Sequence, residues 1–242
     1  MLADGVMDRF GVAEVYALHN YPGLPVGAFA IRPGSLMAAS SILKIEIIGR
    51  GGHAATPHGC IDTVLIGSSI VTALQGIVAR NVDPVDAAVV SIAKFRAGDS
   101  FNIMPEKAEL HGTARALRPE VMELLEARVR EVVTGTARML GGEATLSFHR
   151  DSPATINTAA EYEHAASVAE EVAGAAQVER NCPPAMVAED FGDMLLARPG
   201  AFIFMGNGDS AGLHHPAYDF DDAAIPYGVS YLARLVERRS AV

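Results

Sequence analysis

The stretch "KAELHGTARAL", Lys107–Leu117, alternates apolar and polar residues. Ala108, Leu110 and Gly112 share one face, and Glu109, His111, Thr113 and Arg115 share the other, the pattern of a strand with one packed and one solvated side. Pro119 then opens a helix, since proline at a first helical position gives up no needed hydrogen bond. Val121, Leu124, Leu125, Val129 and Val132 fall on one face of that helix, and Gly141-Gly142 ends it. "EATLSFH", Glu143–His149, reads as the next strand. Upstream, "LKIEIIG", Leu43–Gly49, alternates as a strand. From Ile61 to Ala79, Ile61, Val64, Leu65, Val71, Leu74 and Val78 keep helix-face spacing, and "AAVVSIAKF", Ala87–Phe95, is rich in β-formers. The order strand, helix, strand, strand, helix, strand predicts a ferredoxin-like α+β sandwich.

The flanks have a different character. Short strands and turns precede the sandwich. After it, "TAAE", Thr158–Glu161, has the capping-box pattern that starts a helix. "AFIFM", Ala201–Met205, is an apolar strand, and a last helix runs from about Ala224 to Arg238. The flanks read as pieces of one α/β domain, residues 1–41 and 153–242, with residues 42–152 inserted between them. "MLADGVMDRFGV" reads as the tail of an amphipathic helix and carries no helix start signal. The expectation is that it is an internal stretch of a longer fold.

Bulk composition narrows the functions. The 242 residues include 29 acidic and 19 basic ones, for a net charge of -10. That balance argues against binding nucleic acid or an anionic membrane surface. No apolar run approaches the roughly 20 residues that span a bilayer, and Asp4 and Asp8 sit where a signal peptide would be basic and then apolar. Cys60 and Cys182 form neither a disulfide framework nor a CxxC site. A cytoplasmic protein is expected.

Four segments carry candidate chemistry. "GNGDSAG", Gly206–Gly212, contains a GxSxG match that would make Ser210 the nucleophile of a serine hydrolase. Against it, Pro216 blocks an early helix and no histidine follows His214-His215 in the chain. "GRGGHAATPH", Gly49–His58, lacks the GK[ST] ending of a P-loop and the spacing of a dinucleotide fingerprint. Its glycines would let the backbone approach closely and aim His53. "FNIMPEKAELHGTAR", Phe101–Arg115, places Asn102 before a strand that bears Arg115, and a guanidinium fork grips carboxylates. "AGLHHPAYDF", Ala211–Phe220, puts paired histidines in a loop after a strand. With His19 in "ALHNYPGLPVG", that loop could supply two imidazoles, while a catalytic zinc site takes three protein ligands or more. "MVAEDF", Met186–Phe191, adds Glu189 and Asp190. Taken alone, each histidine reads as structural sooner than as a ligand.

Taken together, "LHNYPGLPVG", "GRGGHAATPH", "NIMPEKAELHGTAR", "AEDF" and "LHHPAYDF" resemble the metal-dependent amidohydrolases: aminoacylases, hippurate hydrolases and auxin-conjugate hydrolases. The resemblance implies part of a dinuclear-metal, exopeptidase-like catalytic domain with an inserted ferredoxin-like lid and dimerisation domain. It implies two divalent metals (zinc, manganese, nickel or cobalt), with His19 and His214 as ligands and Glu189 near the metals. It assigns His53 to the oxyanion, and Asn102 and Arg115 to the carboxylate or nearby amide of the substrate. The implied reaction hydrolyses the amide of an N-acyl amino acid in a homodimer. Family members carry on the order of one hundred further residues ahead of this chain's first segment, and that region holds the other ligands and the general base. A non-catalytic dimerising or binding module is the alternative.

Overall fold

The computed structural model describes residues 1–240. In chain order the elements are α1 (Val6–Arg9), β1 (Val15–Tyr21), β2 (Phe29–Ala30), β3 (Gly34–Met37), β4 (Ala39–Ile48), β5 (Gly52–His53) and α2 (Thr63–Asn81). β6 (Ala88–Ala97), β7 (Ile103–Met104), β8 (Lys107–Ala116), α3 (Pro119–Met139), β9 (Glu143–Ser152) and β10 (Thr155–Asn157) follow. The chain ends with α4 (Ala159–Ala173), β11 (Val178–Glu179), α5 (Phe191–Ala197), β12 (Gly200–Gly206) and α6 (Ile225–Ser240). These elements form two compact units. The first comprises Met1–Met37, Thr155–Ala185 and the chain from Glu189 onward. The second comprises Ala38–Ala154 with Met186–Ala188.

The second unit is the ferredoxin-like sandwich. Its sheet has the order β6-β8-β4-β9, all antiparallel, with α2 and α3 packed together against it. Ala108, Leu110 and Ala114 of β8 are buried, while Glu109, His111, Thr113 and Arg115 are half-buried on the opposite face. α3 begins at Pro119 and buries Val121, Met122, Leu125, Val129, Val133 and Ala137. Leu124 and Val132, expected on the packed face, lie at its margin. α2 departs further from the reading of its sequence. It buries Ile66, Ile70, Leu74 and Ile77, and leaves Val64 and Leu65 exposed. Full burial of each such aliphatic side chain contributes about 1.5–3 kcal/mol. The periodicity misled because Thr63–Ala79 contains no charged residue, so several faces are apolar enough to pack. The same feature corrects the statement that no apolar run approaches a membrane span. α2 has 19 residues and a mean hydropathy of 1.4, enough to cross a bilayer by length and composition, although here one face packs into the sandwich.

The first unit holds a mixed sheet of order β1-β12-β2-β11. β1 and β12 are parallel neighbours, in register from Val15 with Gly200 to Tyr21 with Gly206. One face packs Phe29, Ile203 and Met205 against Tyr162 and Ala166 of α4 and Tyr231 and Leu235 of α6. The other face packs Phe202 and Phe204 with Val15, Leu36 and Phe191. α4 starts where the capping-box pattern places it, but the box itself is not made. The Thr158 hydroxyl bonds the Glu161 carboxylate and the main chain of Gly200 instead of capping a helical N–H. This use of Thr158 ties the start of the helix to the start of β12.

Candidate metal and substrate site

Strand alternation decides where His19 goes. On β1, Tyr16 and Leu18 pack on the α4–α6 side and Ala17 on the aromatic side. His19 follows Ala17 by two residues, so its ring lies on the aromatic side. It stacks on Phe202 at 6.5 Å between ring centres. Its Nδ1 lies 2.6 Å from the Asn20 carbonyl. A carbonyl only accepts, so Nδ1 carries the proton and the Nε2 lone pair is left for a metal or an acid. A cavity of about 700 Å³ is lined by His19, Glu189, Asp190, Asp193, Phe191 and Phe202, among others. Burial pushes the Glu189 carboxyl above the usual carboxylate range, the neighbouring Asp190 side chain adds to that, and His19 opposes it. Three carboxyl groups and one imidazole thus line one cavity without converging on a single point.

His214 arrives at the same end of the sheet by topology. β1 and β12 run in parallel, so the loop that leaves β12 emerges at the end of β1 that carries His19. Loops at the carboxyl ends of parallel strands are where α/β folds place ligands. Among the described residues, His214 is the single non-glycine at positive φ, 63°. Such conformations gather at functional sites. The choice between the two neighbouring histidines follows from hydrogen bonding. His215 Nδ1 accepts from the Ala217 N–H at 3.0 Å, which places the proton of its neutral ring on Nε2. The His214 ring has no hydrogen-bond partner among the described residues and keeps its donor atoms for a ligand.

His53 is wired in the opposite sense to His19. β5 pairs with β7, His53 opposite Ile103. The glycines before it serve close approach: a Cβ on Gly49 would meet the Ile61 carbonyl at 2.3 Å, and one on Gly51 the Met104 carbonyl at 2.9 Å. His53 Nδ1 accepts from the Ala55 N–H at 3.0 Å, so the neutral ring presents Nε2–H, a donor. Asn102 is its neighbour through the Ala54 N–H, which donates to the Asn102 carbonyl at 3.0 Å. Arg115 is elsewhere in the unit. It lies opposite Ser40 and Val89, and its guanidinium donates to the Met186 carbonyl at 3.1 Å. The eight residue-to-residue steps of strand from Lys107 to Arg115 span roughly 27 Å. Asn102 precedes the first of them, so one copy of the unit does not close Asn102 and Arg115 on one carboxylate.

The Ser210 reading is corrected by the structure. Its hydroxyl donates to the Ala211 carbonyl and accepts from the Asn207 amide, both at 3.1 Å, with no histidine in its hydrogen bonds. Irregular chain follows it, and α6 begins only at Ile225. The strand–serine–helix elbow that would activate it is absent.

Sequence reasoning passed over Asn207, Asn20 and Tyr218. Asn207 is buried, and its amide donates to the Ser210 hydroxyl and the Asp219 carbonyl and accepts from the Asp221 N–H. The available signal was a polar residue directly after an all-buried strand.

A family model for peptidase family M20/M25/M40 matches residues 1–238. The chain belongs to this family. It is 36% identical over 235 residues to hippurate hydrolase of Campylobacter jejuni, covering 97% of this chain and 61% of that protein. It is likewise 36% identical over 236 residues to N-acetyldiaminopimelate deacetylase of Exiguobacterium sibiricum, covering 96% and 62%. Among solved structures, a putative aminohydrolase of methicillin-resistant Staphylococcus aureus superposes with a TM-score of 0.87 at 29% identity, over 98% of this chain and 61% of that one. A Bacillus subtilis M20-family protein described as a dinuclear metal binding peptidase gives 0.80 at 28%, over 97% and 58%. The chain thus spans about three-fifths of the length of these relatives. Among its described residues, no three His, Cys, Asp or Glu side chains form a group able to hold a metal ion.

Proposed function

We propose that this chain serves metal-dependent hydrolysis of the amide bond of N-acyl amino acids, releasing a carboxylic acid and an amino acid. The observation that carries this reading is the free Nε2 lone pair of His19 in a cavity shared with Glu189 and Asp190. The names of the M20 relatives, a hippurate hydrolase and an N-acetyldiaminopimelate deacetylase, support the substrate class. His19 and His214 would hold the metal, with Glu189 beside them, and further donors would come from outside the described residues. Imidazole and carboxylate donors accept zinc, manganese, nickel or cobalt. When bound, such a metal supplies Lewis acidity and a water of lowered pKa. The first unit is then the catalytic part and the second the lid and dimerisation part.

The chain's own groups do the rest. His53 donates its Nε2–H to the oxygen of the attacked carbonyl, where negative charge develops. Arg115 grips the free carboxylate of the substrate, since one guanidinium nitrogen rests on Met186 and the remaining N–H groups meet no acid among the described residues. The distance between Asn102 and Arg115 supports a homodimer in which His53 and Asn102 of one copy serve the substrate held by Arg115 of the other. The uncharged, half-exposed face of α2 offers a surface for that pairing.

Calorimetric titration of the chain with Co²⁺ tests the metal reading. Uptake that falls about hundredfold or more in His19→Ala is expected, since even residues behind the ligands change affinity 10–100-fold. Equal uptake by both proteins would overturn it. The lack of a three-donor group among the described residues favours a second reading, a non-catalytic dimerising module. That reading predicts no Co²⁺ uptake and no release of glycine from N-benzoylglycine.

A further inference from the structure

The loop from Asn207 to Asp221 is fastened in two places, and only one fastening has an evident purpose. At its neck, the buried Asn207 amide closes the loop on itself through Ser210, Asp219 and Asp221. Main-chain bonds from Gly23 to Gly208 and from Gly208 to Leu24 hold the same neck against the turn after β1. Within the loop, His215 N–H donates to Gly212 and Tyr218 N–H to His215, so short turns carry His214 at its φ of 63°. None of these bonds fixes where the far part of the loop lies relative to β1. One side-chain bond does so among the described residues: Asn20 Nδ2 donates to the Tyr218 hydroxyl. Asn20 is also the residue whose carbonyl holds His19 Nδ1.

The geometry points to Asn20 and Tyr218 as a positioning strut. One residue, Asn20, holds His19 through its main chain and the His214 loop through its side chain. We infer that this bond sets His214 in relation to His19, with Asn20 and Tyr218 as positioning residues that touch neither metal nor substrate. This inference rests on the reading of His19 and His214 as metal donors. The chemistry is simple: the bond is charge-neutral, and it links β1 to a loop whose other hydrogen bonds to the rest of the chain lie at its neck.

Tyr218→Phe removes the hydroxyl and keeps the ring, Asn20→Ala removes the donor, and the double variant removes both. In the metal-free chain, the ring carbon–proton signal of His214 in a ¹H–¹³C spectrum should move or broaden in both single variants, while that of His53 stays unchanged. Each single variant should weaken Co²⁺ binding about tenfold, the scale of groups that orient ligands. The double variant should be no weaker than either single one, as for two ends of one bond. A His214 signal unmoved by Tyr218→Phe, or losses that multiply in the double variant, would overturn the strut. If the unaltered chain takes up no Co²⁺, the donor reading falls, and the His214 signal alone decides the strut.

Discussion

At His19 the ring nitrogen Nδ1 faces a backbone carbonyl 2.6 Å away; at His53 the same nitrogen faces a backbone N–H at 3.0 Å. The first is set in a long strand and stacked on an aromatic core; the second stands in the short exposed strand β5, after glycines that let the backbone pack closely. A carbonyl forces the proton onto Nδ1 and leaves Nε2 a ligand, whereas an N–H forces it onto Nε2 and makes that atom a donor. Two identical side chains thus take opposite chemical parts, and the difference is written in the backbone next to each. His215 follows the His53 pattern, its Nδ1 accepting from the Ala217 N–H, which is the ground on which the proposal takes His214 as the metal donor of the pair.

The largest expected effect breaks the support of only one of the two histidines. Phe202 is buried, stacks on His19 and meets Phe191 and Phe204 at 5.6 and 5.9 Å. Phe202→Ala should cost about 3–5 kcal/mol in denaturant unfolding of the first unit. It should also shift the His19 ring signal, whereas Leu125→Ala in the second unit should cost about 2–5 kcal/mol and leave that signal alone. An unmoved His19 signal in Phe202→Ala would separate the ring from its aromatic backing.

A smaller effect concerns the opposite face of β1. His164 of α4 lies edge-on to Tyr16 at 5.9 Å, and its Nε2 is buried without a partner. Burial holds its pKa below the ordinary 6.5; Arg239 and Arg238 push the same way, while the Leu235 carbonyl and Glu14 push back. The folded protein therefore binds this proton less readily than the unfolded chain does. Its contribution is present above about pH 6.5 and is lost as pH falls through the depressed value. His164→Phe should flatten the acid limb of the unfolding midpoint below pH 6.5, and an unchanged limb would assign acid lability to other groups.

The smallest effect lies behind His53. Asp62 caps α2 by accepting from Val64 and Leu65 N–H at 2.9 and 3.0 Å. Asp62→Ala should cost about 1 kcal/mol of the second unit's stability. It should not change the His53 tautomer, which the Ala55 N–H fixes locally.

The sandwich was legible because its strands alternate over a wet face and one of its pairings, β6 with β8, is close in sequence, so β8 displays both faces in its own residues. Proline and paired glycines mark both ends of α3. α2 was less legible, because a helix without charges from Thr63 to Ala79 does not announce which side packs. The first unit was read only in pieces. Its β1–β12 pairing joins residues some 185 positions apart, and no local pattern encodes a partner at that distance. The site shows the same division. His19, His53, His214, Asn102, Arg115 and Glu189 stand in recognisable segments, but the tautomers depend on which backbone group each ring meets. The ties through Asn207 and from Asn20 to Tyr218 depend on the long-range pairing as well.

The most direct test is the tautomer of each ring, read from long-range ¹H–¹⁵N couplings in the full chain at about pH 8, above the ordinary imidazole range. The account predicts a protonated Nδ1 and a bare Nε2 at His19, and the reverse at His53. The same tautomer at both positions would contradict it.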